Sequence, residues 1–416
     1  MTRNAATPLI SAPWLTAPST TRLLAALTAD GQPARFVGGC VRDALLGRDD
    51  ADGDLDIATS ALPDQVIGLL ETAGIKVVPT GLAHGTVTAI IEGQPFEVTT
   101  LREDIACDGR HARVRFTDDF AVDAARRDFT INAMSAAGDG RLYDYFGGRD
   151  DLAAGRVRFV GDARRRVAED HLRILRFFRF FAGYGRPPAD SEALAACRAA
   201  AGNIRHLSGE RIRNEMLKLL RTDDPLPALD LMHATGVLAE VLPGTADLAG
   251  LRRLVALVPD ADPLLRLAAL LRPTPDAKSA AAGVATAWRL AKAEAARLDR
   301  LATARSITLP ASAKTARRDL YRLGADIYAD LARLAAADIG ADAARGLAEA
   351  LGRARAWTVP VLPVRGRDLI DRGVPPGPEL GSLLKRIEGW WLDRDMRPGR
   401  EACLAELDRL LARTDG

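Results

Sequence analysis

The chain has 416 residues, 48% of them hydrophobic and 27% charged, with a formal net charge of +2. This is a globular balance on a chain long enough for two or three domains, and it excludes fibrous and compositionally disordered classes. With so small a net charge, any nucleic-acid surface must come from local clustering of basic residues.

Cys40, Cys107, Cys197 and Cys403 stand far apart with no metal-ligand spacing, so reduced thiols are expected. No apolar run is long enough to span a bilayer, and residues 1–20 lack the pattern of a secretory signal. The cytoplasm is the expected compartment.

In chain order, residues 35–37 read as a strand that runs through Gly38-Gly39 into a helix over 40–46. Two glycines at such a junction let the backbone approach a ligand, and Arg42 sits one turn into the helix, within reach of the same phosphates. The next strand, 55–58, lies in Asp54-Leu55-Asp56-Ile57-Ala58. Alternation along a strand projects Asp54 and Asp56 together. Carboxylates so placed repel each other unless they share a cation, and hard oxygen ligands suit Mg²⁺. The competing reading is a solvated acidic loop, because Asp49, Asp50 and Asp52 lie just upstream.

A helix over 63–73, opened by Thr59 or Ser60, leads to strands at 76–78, 86–91 and 96–101. Glu92-Gly93 forms the hairpin turn between the last two. Glu97 is a third carboxylate candidate; on local sequence it either lines the site or faces solvent at an edge. Two metals bridging such carboxylates would serve an in-line phosphoryl transfer, with one activating the attacking 3′ hydroxyl and the other stabilising the leaving group. Further along, Arg126-Arg127-Asp128-Phe129-Thr130-Ile131-Asn132-Ala133 offers arginines for phosphate and an Asp and Asn for ribose hydroxyls. A surface charge cluster is the bland alternative.

The chain changes character near residue 145. After residue 160 the apolar spacing is helical, with segments at 164–184, 208–221, 226–241, 262–271 and 283–304 and a last helix over 400–412. Within the first of these, Asp170 and Arg173 are three apart and so share a helical face, and Arg176 and Arg179 continue the row. The alternative is a structural ion pair with a solvated arginine stripe. The sharper reading rests on hydrogen-bond chemistry. Adenine and cytosine each present an amino donor beside a ring-nitrogen acceptor, which a carboxylate and an arginine complement; guanine and uracil reverse the pattern.

Taken together, Gly38-Gly39-x-x-Arg42, Asp54-x-Asp56, Arg126 to Ala133, Glu169-Asp170-x-x-Arg173 with Leu175-Arg176, and Glu210-Arg211-Ile212-x-x-Glu215 resemble the class II tRNA nucleotidyltransferases. That family comprises the bacterial CCA-adding enzymes and their poly(A) polymerase relatives. The resemblance covers residues 34–220 and implies an α+β protein. A mixed α/β nucleotidyltransferase head (1–145), a small sheet with flanking helices, would precede an all-α neck (146–222), body (223–360) and tail (361–416). It implies Asp54 and Asp56 as Mg²⁺ ligands, with Glu97 at the third acid position. Gly38, Gly39, Arg42, Arg127, Asp128 and Asn132 would contact triphosphate or sugar. Asp170 and Arg173 would read the base, with Arg176 and Arg179 supporting the nucleotide. Residues 102–115, including Arg102, Asp104, Asp108 and Arg110, match a flexible loop thought to help switch the pocket from CTP to ATP, although His111-Ala112 stands where many members carry Arg-Pro.

The implied activity is addition of C, C and A to tRNA from CTP and ATP. Residues 366–381 look like the tail of many CCA-adding enzymes, and no long basic C-terminal extension favours a poly(A) polymerase. Poly(A) synthesis and partial CCA addition stay open as alternatives. An inactive RNA-binding descendant and a small-molecule nucleotidyltransferase are disfavoured, the first by the intact aspartate pair and the second by the long helical body.

Overall fold

The computed structural model describes residues 7–48, 55–107, 112–242, 244 and 248–412. They divide into two compact units, one comprising the chain to residue 246 together with Ala287–Arg289, the other the remainder. Among the described residues no helix is long and apolar enough to cross a membrane.

The first unit opens with strand β1 (Thr7–Leu9) and helix α1 (Pro18–Leu27), then β2 (Ala34–Val37), α2 (Gly39–Leu45) and β3 (Asp56–Thr59). Helix α3 (Pro63–Thr72) leads to β4 (Lys76–Gly81), β5 (Thr86–Ile91) and β6 (Gln94–Thr100). A separate hairpin of β7 (Arg102–Cys107) and β8 (Ala112–Phe116) follows, then α4 (Phe120–Ala125), β9 (Ser135–Ala136) and β10 (Arg141–Tyr143). Eight strands form one sheet in the order β1-β10-β9-β2-β3-β6-β5-β4. Every pairing in it is antiparallel except β3 with β6, which sets Asp56 opposite Glu97 and Ile57 opposite Val98.

The expected strands are present, with ends shifted by up to three residues. The Glu92-Gly93 turn is a two-residue hairpin, both residues at positive φ (53° and 85°), which matches the twist of the flanking strands. The expected cap of α3 is corrected: Leu62 is the N-cap, Pro63 begins the helix, and Gln65 Oε1 accepts from Leu62 N at 2.8 Å. Thr59 Oγ1 instead accepts from Ala61 N at 3.2 Å.

Helices α5 (Gly148–Ala154), α6 (Ala163–Glu169), α7 (Leu172–Tyr184), α8 (Ser191–Ala200), α9 (Gly209–Arg221), α10 (Leu226–Ala234) and α11 (Val237–Val241) complete the unit. The reading of 164–184 as one helix is therefore corrected. The backbone is extended at Asp170 (φ −154°), whose Oδ1 accepts from Leu172 N at 3.0 Å and so starts a new helix. The segment 226–241 breaks likewise at Gly236, in left-handed conformation at φ 79°. An aromatic cluster pins α7: Phe129 lies 4.8 Å from Phe159 and 5.2 Å from Phe180 between ring centroids, and Phe159 lies 6.0 Å from Phe177. These rings fix the loop at 126–133 against the helix that carries Arg173, Arg176 and Arg179.

The second unit is helical throughout its described residues: α12 (Ala249–Leu257), α13 (Pro263–Leu271), α14 (Ala277–Ala287), α15 (Lys292–Thr303), α16 (Ala313–Leu323), α17 (Ala325–Ile339), α18 (Ala344–Arg355), α19 (Gly366–Ile370), α20 (Pro378–Asp393) and α21 (Arg400–Ala412). The expected helix over 283–304 is split between α14 and α15, with Arg289 at φ 50°. Asp262 caps α13 and also accepts from Arg297, which in turn bonds Asp330 on α17 at 2.7 Å. Val364, Leu369, Leu383, Ile387, Trp391 and Leu407 form a small core of their own. Arg317 and Arg318 are committed to Asp395 (2.5 Å) and Asp393 (2.9 Å).

Candidate active site

A cavity of about 610 Å³ opens in the first unit, and most of the residues singled out by sequence line it. Gly38 and Gly39 form one wall. Gly38 has φ 76°, a backbone conformation that calls for glycine, and a Cβ there would come within 3.2 Å of Arg127 Nη1, which would have to shift. Arg42 is buried in the adjoining wall, where Nη1 donates to Asn132 Oδ1 at 2.7 Å.

Asp56 lies at the start of β3 and lines the cavity. Glu97 is its register partner on β6, so the two carboxylates project from the same face of the sheet. Glu97 itself is exposed and does not line the cavity wall. Asp54 lies outside the described residues, as do Asp108 and Arg110. Among the described residues no three His, Cys, Asp or Glu side chains are grouped to hold a metal. Asp56 and Glu97, register partners on neighbouring strands, carry only oxygen donors, which fits a hard divalent cation of the Mg²⁺ type. Beside Asp56, burial and the neighbouring carboxylate push the Cys40 thiol up to about 12, so it stays protonated at neutral pH.

The loop after α4 supplies a buried polar core. Asp128 accepts from Phe129 N at 2.9 Å, Asn132 Nδ2 at 3.1 Å and Arg176 Nη2 at 2.6 Å. Burial pushes its pKa up, but Arg176, Asn132 and the Phe129 amide outweigh burial and hold it below the ordinary carboxylate value. Arg176 also approaches Glu215 at 3.6 Å, and Arg179 pairs with Glu215 at 2.5 Å. Arg126 and Arg127 are both tied to buried Asp123, at 2.7 and 3.2 Å. The sequence reading missed Asp123, although its spacing of three and four residues to the two arginines is the signal for it.

The expected relation between Asp170 and Arg173 needs correction. They do not share a helical face, because the chain bends at Asp170, nor do they form an ion pair with each other. Asp170 Oδ2 accepts from Arg211 at 2.6 Å, whereas Arg173 Nη1 donates to Glu169 Oε2 at 2.6 Å and to the Arg166 carbonyl at 3.0 Å. Both side chains nevertheless line the one cavity, as do Arg176 and Arg179. The lining also includes Trp14, Asp43, Arg48, Phe180 and Lys218, none of which the sequence reading selected, and Asp104 from the β7–β8 hairpin.

One wall of the cavity thus presents acid and glycine, and another a carboxylate and a guanidinium held apart from each other. Residues 34–158 match the family model of the poly A polymerase head domain, and residues 190–248 that of a probable RNA and SrmB-binding site of polymerase A. The chain is 34% identical to the mitochondrial CCA tRNA nucleotidyltransferase 1 of Danio rerio, over 90% of this chain and 87% of that protein. It is 36% identical to the CCA-adding enzyme of Levilactobacillus brevis, over 86% of this chain and 89% of that protein. The fold is similar to the Bacillus stearothermophilus CCA-adding enzyme in complex with CTP, with TM-score 0.78, 30% identity, and coverage of 96% of this chain and 100% of that one. It is also similar in fold to the Thermotoga maritima CCA-adding enzyme complexed with tRNA, with TM-score 0.65, 22% identity, and coverage of 97% and 99%.

Proposed function

This chain belongs to the CCA-adding tRNA nucleotidyltransferase family, and from that premise we propose that it adds C, C and A to the 3′ end of tRNA from CTP and ATP. The observation that carries the reading is that Asp56, Asp170 and Arg173 line a single cavity. An acid for phosphoryl transfer and a donor–acceptor pair for a base then act on one bound nucleotide.

Asp54 and Asp56 would hold Mg²⁺, which would supply activation of the 3′ hydroxyl and charge stabilisation on the triphosphate, with Glu97 as the third acid on the neighbouring strand. Gly38 and Gly39 leave backbone uncovered by side chains, and Arg42 and Arg127 bring guanidinium donors to the phosphates. Asp128 and Asn132 take the sugar, held in place by Arg176. Asp170 accepts from the exocyclic amino group of cytosine or adenine, while Arg173 donates to the ring nitrogen. Arg176 and Arg179 support the nucleotide from the same helix. The neck (146–222) selects the base, and body (223–360) and tail (361–416) carry the tRNA. The cytoplasm is the inferred compartment; three vertebrate relatives are named as mitochondrial.

The test is addition to a tRNA lacking its last three nucleotides, with Mg²⁺ and CTP alone, ATP alone, or both. Two cytidines followed by one adenosine and then a stop are expected. A long adenosine tract from ATP alone would make the protein a poly(A) polymerase. Arg173→Ala is expected to relax discrimination against UTP and GTP by on the order of 10²-fold, because the donor that rejects the reversed base edges is gone. Misincorporation assays with each triphosphate check this; unchanged selectivity removes Arg173 from base reading.

A further inference from the structure

Arg42 is held more elaborately than a phosphate ligand requires. Its Nε and Nη2 donate to Asp43 Oδ1 and Oδ2 at 3.0 and 2.8 Å, and its Nη1 to Asn132 Oδ1 at 2.7 Å. A guanidinium carries five N–H donors, so among the described residues these bonds leave one on each terminal nitrogen. Two such donors can grip two oxygens of a phosphate.

What sets the plane of that guanidinium comes from α7. The Tyr184 ring centroid lies 4.1 Å from Arg42 Cζ, and Phe180 lies 5.3 Å away. The Tyr184 hydroxyl donates to Asp43 Oδ1 at 3.0 Å, so one aromatic side chain steadies both Arg42 and the carboxylate that holds it. Arg48, three residues beyond α2, adds a second tie by donating to the Gly183 carbonyl at 3.3 Å. Tyr184 is the last residue of α7, whose other residues include Arg173, Arg176 and Arg179. Burial and the Asp43 carboxylate raise the phenol pKa despite the nearby Arg42, which keeps the hydroxyl a donor.

We propose that Tyr184 is a positioning residue for the triphosphate: it fixes Asp43 and the plane of Arg42, so that the spare guanidinium donors meet the phosphates of whichever nucleotide is bound. This rests on the reading that the cavity takes CTP and ATP. Because the phosphates are common to both, loss of the hydroxyl must weaken both equally, unlike loss of a base-reading residue.

The experiment is calorimetric titration of Tyr184→Phe with Mg–CTP and Mg–ATP in the absence of RNA, followed by steady-state addition to tRNA. The Kd and KM for both nucleotides are expected to rise by about three- to tenfold, the loss of one hydrogen bond to a charged group. The two nucleotides should agree within about twofold, and the KM for tRNA should stay within about twofold of wild type. Tyr184→Ala, which also removes the ring from Arg42, should weaken both nucleotides further than Tyr184→Phe. Asp43→Asn tests the same chain of contacts from its other end and should again weaken CTP and ATP alike.

An unchanged nucleotide Kd in Tyr184→Phe overturns the proposal. So does a change confined to one nucleotide, or a matching rise in the KM for tRNA. If wild-type protein binds both triphosphates but adds nothing to tRNA, the functional reading fails while the titration still judges Tyr184. Wild-type protein that binds neither triphosphate overturns both.

Discussion

Replacing Asp56 with Ala should lower nucleotide addition by about 10³-fold or more while leaving the fold in place. The carboxylate lines the cavity at the first residue of β3. The rest of that strand is anchored without it: Ile57 pairs with Phe36 and Val98, Ala58 with Arg35 and Thr99, and Thr59 with Ala34 and Thr100. The backbone pairing of β3 does not depend on the Asp56 side chain, so the variant should stay folded. Single-turnover incorporation of CTP, read beside a thermal melt, checks both halves. Residual activity within about tenfold of wild type would remove Asp56 from the chemistry. Asp54→Ala is expected to show the same loss.

Asp128→Ala should cost about 3 kcal/mol of stability. Asp128 is 8% exposed and takes three donors, so its removal leaves Glu215, at 3.6 Å, as the nearest acid to Arg176 among the described residues. A partly buried guanidinium that has lost its main counter-charge keeps much of its desolvation cost without the return. The pH dependence follows from the lowered carboxyl. Its contribution is fully present above the unfolded carboxylate pKa of about 3.9 and disappears as pH falls through the lower folded value. Asp128→Asn keeps the size but not the charge. Its stability deficit relative to wild type should therefore shrink as pH drops below about 4. Urea unfolding at neutral and acidic pH measures this. A deficit that does not change with acid would mean that the pairing with Arg176 is not what stabilises Asp128.

Much of the first unit was legible from local pattern. Alternating apolar runs marked the strands, and Glu92-Gly93 marked their turn. The glycine pair and its arginine announced the junction of β2 and α2. The break at Asp170 was hidden because Val167, Ile174 and Leu175 keep helical spacing across it, while a side-chain bond to Leu172 N leaves no trace in periodicity. Partner choice among arginines was equally hidden. Arg166, Arg173, Arg176, Arg179 and Arg211 all have long, flexible side chains, and sequence spacing alone does not decide which acid each will meet. Glu169 and Glu215 hold positions that could be read only once α6, α7 and α9 were assembled. The cap of α3 was missed for a related reason: Gln65 reaches back to Leu62, so the capping group lies inside the helix rather than ahead of it.

The sheet order also bears on how the chain acquires its active face. β3 and β6 are neighbours, yet α3, β4 and β5 come between them in sequence, and β2 finds its other partner only in β9. Asp56 and Glu97 therefore become neighbours through a long-range crossover, not through any local turn. Loop closure must come before the contacts that reward it, which makes this pairing slow relative to the β5–β6 hairpin. During synthesis the hairpin can form early, while β2 stays open on one side until residues 135–136 have emerged. A nascent chain stalled before that point holds Asp54, Asp56 and Glu97 and still lacks the completed sheet that aligns them.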